Sequence, residues 1–182
     1  MKGNLAVLNI PNTLTLLRIV AIPFFATTLI YGKYDIALAL FIFASITDAL
    51  DGLIARVTKK QTKLGQFLDP VADKILIITS FILFAICGLI PTWLTISIIS
   101  RDLIVVVGWM LFYLIHQVTF TKPTILGKSA IAAQMVLLAY ILLRINFHEL
   151  LPDPAVLIWI TAILTAASGL HYIIKGLMYT DE

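Results

Sequence analysis

The sequence predicts an all-α integral membrane protein, and three observations carry that prediction. Of the 182 residues, 60% are hydrophobic and only 13% are charged, whereas a soluble domain carries about 25% charge. The mean hydropathy is +1.02. The apolar residues gather into six segments, each near or above the ~20 residues a helix needs to cross the hydrocarbon of a bilayer. The expected spans are 14–30, 35–56, 65–87, 92–117, 125–147 and 155–177. Together they read as a single membrane domain over 1–182, six transmembrane helices preceded by an interfacial segment over 1–13.

Taken in order, the N-terminal segment is too short and too interrupted to span. Leu5, Val7, Leu8 and Ile10 would lie on its lipid side. It has one lysine and no small-residue cleavage site, so it is not expected to be a removable signal peptide. Breaks fall at 31–33, 59–63, 88–91, 118–122 and 148–154, each marked by glycine, lysine, proline or polar residues. An even number of spans puts both termini on one side. Lys2, Lys59, Lys60, Lys63, Lys122, Lys128 and Lys175 fall on that side, with Arg56 at its rim, while Lys33 and Arg144 fall on the other. The positive-inside rule then places both termini and the 57–64 loop in the cytoplasm of a cell membrane.

Composition also narrows the function classes. A net charge of +3 and scattered basic residues fit anionic lipid headgroups, and no base-reading motif points to nucleic acid. The lone Cys87 sits in an apolar run and provides neither a disulfide framework nor a thiolate metal cluster. His116, His148 and His171 share no metal-ligand spacing and read as interfacial polar residues. The tryptophans and tyrosines mostly fall near span ends, as aromatic belts do.

The chemistry concentrates in residues 48–73. Asp48 and Asp51, and Asp69 and Asp73, are spaced three and four apart, so each pair shares a helix face. A carboxylate in a span costs about 2.5–3.5 kcal/mol even on lenient insertion scales. Four of them would repel and take up protons unless a positive charge sat between them. Hard oxygen donors of this kind suit Mg²⁺, Mn²⁺ or Ca²⁺ better than zinc. The competing account is a set of interhelical ion pairs with Arg56, Lys74 and Arg101.

The pattern D-x2-D-G-x2-A-R-x8-G-x3-D-x3-D, borne by Asp48, Asp51, Gly52, Ala55, Arg56, Gly65, Asp69 and Asp73, resembles the CDP-alcohol phosphotransferase signature at every fixed position. Asn9 to Arg18, Ile99 to Asp102 and Leu126 to Lys128 are similar to the branch of that family that makes phosphatidylglycerophosphate, so the likeness covers most of the chain. The resemblance implies two divalent cations, Mg²⁺ or Mn²⁺, held by Asp48, Asp51, Asp69 and Asp73, with Asp73 also the general base. It implies CDP-diacylglycerol as donor, glycerol 3-phosphate as acceptor and a homodimer among membrane lipids. It also places the cytidine nucleotide beside Gly52 and Ala55, where small side chains leave a groove. Close helix packing is the other use of such residues.

Arg56 can fork onto the diphosphate, and Gly65 can admit backbone to the nucleotide or simply start a helix. Asn12, Thr15 and Arg18 either line the nucleotide pocket or anchor the first span at the interface. Arg101, an intramembrane arginine, and Lys128 are expected to clamp the acceptor phosphate. The rival is an Arg101–Asp102 pair with Lys128 snorkelling to the surface. Two other functions stay open on sequence: the same chemistry on serine, an inositol phosphate or phosphatidylglycerol, and divalent-cation or proton-coupled transport. Transport fits poorly, because the four aspartates cluster at one side and no second acidic layer continues a path.

Overall fold

The computed structural model describes residues 10–58, 63–116, 124–147 and 151–178. Six helices make up the described chain, which contains no strand: α1 (Ile10–Ile30), α2 (Tyr34–Thr58), α3 (Lys63–Ile86), α4 (Thr92–His116), α5 (Ile125–Asn146) and α6 (Ala155–Met178). α1 opens at Ile10, ahead of the expected residue 14, so residues 10–13 continue the first helix. The rest of the expected interfacial segment lies outside the described residues.

The turns at one end of the bundle are built by glycine. Gly32 adopts φ +68 and closes α1: the Gly32 N–H donates to the Leu29 carbonyl and the Lys33 N–H to the Thr28 carbonyl. Gly88 repeats the arrangement at the end of α3, with φ +71 and N–H donors from Gly88 and Leu89 to Ala85 and Phe84. This pairing of bonds is the left-handed glycine cap that satisfies a helix's last carbonyls. A side chain at either position would strain the backbone. α5 is capped at its start by Thr124, whose hydroxyl accepts from the Gly127 N–H.

α1 packs against both α2 and α3, and α5 lies against α2, α3 and α6, while α4 packs mainly on α6. The buried stripe of α1 is Thr15, Arg18, Ile22, Phe25 and Leu29, a three-and-four repeat. Its apolar part joins Phe41, Phe81, Phe84, Leu94, Ile98 and Leu137 in one core. Polar contacts also join the helices. The Thr95 hydroxyl donates to the Phe81 carbonyl at 3.1 Å, and the Gln134 amide to the Thr165 hydroxyl at 3.3 Å. Side-chain hydrogen bonds of this kind bind helices where the surrounding medium offers no competing partner.

The outer surface is apolar. Leu103, Ile104, Val106, Val107, Met110 and Leu114 stay exposed along α4, and Val156, Trp159, Ile163, Leu170 and Ile174 along α6. Contiguous apolar surface of this extent is foreign to a monomer in water and natural against lipid. α5 and α6 are long and apolar enough to cross a membrane over Ile125–Asn146 and Ala155–Lys175.

Candidate active site

The short 59–62 segment keeps the C-terminal end of α2 and the N-terminal end of α3 at the same end of the bundle. At 1.5 Å per residue, Asp51 lies about 10 Å from the end of α2 and Asp69 about 9 Å from the start of α3. Asp48 and Asp73 lie about 15 Å from those ends. Counted along their own helices, Asp51 and Asp69 are thus at similar depth from the 59–62 connection, and Asp48 and Asp73 one turn deeper. The side chains of Asp48, Asp51, Gly52, Ala55, Arg56, Gly65, Asp69 and Asp73 lie outside the described residues, as does that of Asn12.

α1 brings polar groups to the same depth. Counting from Gly32, Arg18 lies fourteen residues back and Thr47 fifteen residues on, so the hairpin sets Arg18 level with the residue before Asp48. Arg18 and Thr15 are both fully buried at 0% exposure, and Thr47 is buried beside them in level. An interfacial anchor would keep its guanidinium at the surface. The anchoring alternative for Arg18 is thus corrected: this arginine is an interior group facing α2 and α3.

The second cluster joins α3, α4, α5 and α6. Asp102 bridges two cations, accepting from Arg101 Nη1 at 2.6 Å through Oδ1 and from Lys74 Nζ at 2.9 Å through Oδ2. Lys74 thereby ties α3 to α4. Arg101 is itself buried, at 6% exposure. Its Nε and Nη2 donate to the Ser168 hydroxyl at 3.2 and 2.6 Å. The Tyr172 ring lies 5.8 Å from its Cζ, within cation–π range.

Of the expected acceptor pair, Arg101 is inside and Lys128 is exposed. Of the segment carrying Lys128, it is Gly127 that lies against Arg101. A Cβ at that position would come within 3.3 Å of Arg101 Nη2 and 3.1 Å of the Tyr172 hydroxyl. The Arg101–Asp102 pair and the exposed Lys128 are the features of the rival reading, and the Arg101 side chain lies against Gly127, the residue before Lys128. Two cations of the competing ion-pair account, Lys74 and Arg101, both have Asp102 as a partner.

Sequence reasoning missed Ser168, Tyr172 and the bridging role of Asp102. A signal was present for the first two. Thr161, Thr165, Ser168 and Tyr172 recur every three or four residues along an otherwise apolar segment, a polar stripe on one face of α6.

Two buried arginines, Arg18 and Arg101, thus lie in a bundle whose α2 and α3 carry the signature residues. A sequence model of the CDP-alcohol phosphatidyltransferase family matches residues 8–167, and the chain belongs to that family. It is 32% identical over 185 residues to the CDP-diacylglycerol–glycerol-3-phosphate 3-phosphatidyltransferase of Bacillus subtilis (strain 168), covering 92% of this chain and 95% of that protein. It is 35% identical to the enzyme of the same name from Yersinia enterocolitica, over 91% of this chain and 93% of that one. It is also 31% identical to a probable cardiolipin synthase (CMP-forming) of Drosophila melanogaster, over 93% of this chain but only 58% of that longer protein.

Proposed function

We propose that the protein transfers a phosphatidyl group from CDP-diacylglycerol to glycerol 3-phosphate, releasing CMP and forming phosphatidylglycerophosphate. One observation carries the choice of acceptor. Arg101 is buried and held by Asp102, which also takes Lys74 from the helix that carries Asp73, and a buried guanidinium suits a phosphate-bearing acceptor. The relatives named for this reaction, matched over nearly their whole length, support it.

In this reading Asp48, Asp51, Asp69 and Asp73 hold two divalent cations, Mg²⁺ or Mn²⁺. The donor set fits, being all hard oxygen and drawn in pairs from two helices. When bound, such a pair polarises phosphoryl oxygens and stabilises the entering and leaving oxygens of an in-line displacement. Arg56 forks onto the diphosphate of the donor, while Gly52, Ala55 and Gly65 make room for the cytidine. Asn12, Thr15 and Arg18 close the nucleotide pocket from α1, with the buried Arg18 supplying positive charge. Arg101 takes the phosphate of the acceptor, and Lys128 meets it from the exposed side. Asp73 accepts the proton of the attacking hydroxyl, whose oxygen bonds to the phosphorus carrying the diacylglycerol as the bond from that phosphorus to CMP breaks.

All six helices have the length to span, at 21–25 residues each, or upwards of about 31 Å. The reading sets them across a cell membrane as one domain, with both termini and the site on the cytoplasmic side and a second copy completing a homodimer. The lipid tails of the donor would remain in the bilayer and reach the site sideways.

A second reading has phosphatidylglycerol as acceptor, which the similarity to a probable cardiolipin synthase favours. CMP release by purified protein with CDP-diacylglycerol and Mg²⁺, across glycerol 3-phosphate, phosphatidylglycerol, serine and inositol phosphate, separates them. Release with glycerol 3-phosphate alone, abolished by EDTA, is expected. Release with phosphatidylglycerol alone would replace the acceptor. No release with any of them would return divalent-cation flux in proteoliposomes as the measurement to make.

A further inference from the structure

The signature that defines the donor side ends at Asp73, and none of it explains Ser168. Yet this serine is fully buried and takes two of the donors of Arg101, from Nε and Nη2. A guanidinium has five N–H groups in a rigid plane. Ser168 and Asp102 use one each on Nε, Nη1 and Nη2. By these contacts, one N–H remains on each terminal nitrogen, and such a pair can fork onto two oxygens of one phosphate.

The surroundings hold that orientation. Gly127 on α5 and Gly169 on α6 wall the side chain, since a Cβ at Gly127 would come within 3.3 Å of Nη2 and one at Gly169 within 3.4 Å of Arg101 Cγ. Tyr172 lies against the guanidinium. The Asp102 carboxylate is the competitor. It is the next residue in the chain, already 2.6 Å from Nη1, and a second bond to it would consume the free fork.

We propose that Ser168 is a positioning residue for acceptor recognition: it holds Arg101 by its Nε–Nη2 edge and keeps the terminal N–H pair from collapsing onto Asp102. The inference rests on the reading of Arg101 as the acceptor-phosphate ligand. The serine touches no substrate itself, and its effect passes entirely through the arginine.

The test compares Ser168→Ala, Ser168→Thr and Arg101→Ala in full-length detergent-solubilised protein, with KM for glycerol 3-phosphate, KM for CDP-diacylglycerol, kcat and Tm measured for each. Ser168→Ala is expected to raise KM for glycerol 3-phosphate about tenfold, the scale of a hydrogen bond to a charged group, with KM for CDP-diacylglycerol and kcat held and Tm lowered by a few degrees. Ser168→Thr, which keeps the hydroxyl, should restore most of the loss. If Arg101→Ala raises the acceptor KM and Ser168→Ala does not, the positioning role is overturned and Arg101 stands. A fall in Tm with all constants moving together would make Ser168 merely structural and overturn it too. An unchanged acceptor KM in Arg101→Ala would remove the reading beneath the proposal, a result distinct from either failure.

Discussion

The two ends of the helix bundle are built on opposite rules. At the signature end, charge is buried: Arg18 is at 0% exposure and Arg101 at 6%, the latter enclosed by Asp102, Ser168 and Tyr172. At the other end, charge stays outside. Arg144 reaches Asp153 at 3.6 Å with Asp153 72% exposed, and the interior there is Phe25, Leu29, Phe41 and Phe84. Polar and aromatic contacts there join the helix ends: the Asn146 amide donates to the Tyr34 carbonyl at 3.0 Å, and Trp93 and Trp159 lie 5.4 Å apart. Buried arginines are costly unless their partners are supplied. The protein buries that cost at the signature end, where the proposed function has phosphate bound, and builds the far end chiefly from apolar packing.

The sharpest way to break this comparison is Asp73→Asn. Removing a general base costs about 10²–10⁴ in rate, so CMP release should fall by that factor while CDP-diacylglycerol still binds. Full turnover would take Asp73 out of the reaction. At the opposite end, Phe84→Ala should destabilise by about 3–5 kcal/mol through a cavity, lowering Tm with both KM values intact. A shift in acceptor KM there would mean that the ends are coupled. Arg101→Ala should raise the acceptor KM by about 10–100-fold, on the scale of about 1.5–3 kcal/mol for bonds to a charged group, and leave the donor KM in place. Smallest of all, Asp153→Asn should change stability by under about 1 kcal/mol, as exposed ion pairs do, and leave turnover untouched. A large effect on turnover would show that the outer end is not inert.

The contrast between the ends also explains what could be read in advance. The six helices were legible because each apolar segment is bounded by strong breakers, and Gly32 and Gly88 stop helices for a local reason that their neighbours cannot alter. The aspartate pairs were legible because both members of each pair lie on one helix, where spacing alone fixes the shared face. Arg18 was not: sequence left it at the interface or in a pocket, and only its position between α1, α2 and α3 buries it.

What the sequence by itself determined is the local part of this protein: six apolar helices, their stops, and a signature whose eight fixed residues fall within 26 positions. The tertiary structure decided every relation between residues distant in the chain. Arg101 meets Ser168 across 67 positions and Asp102 meets Lys74 across 28. Periodicity tells which face of a helix is buried, but not which helix it is buried against. That choice came from packing α4 against α6 with α5 alongside, where Gly127 and Gly169 leave room for one arginine side chain.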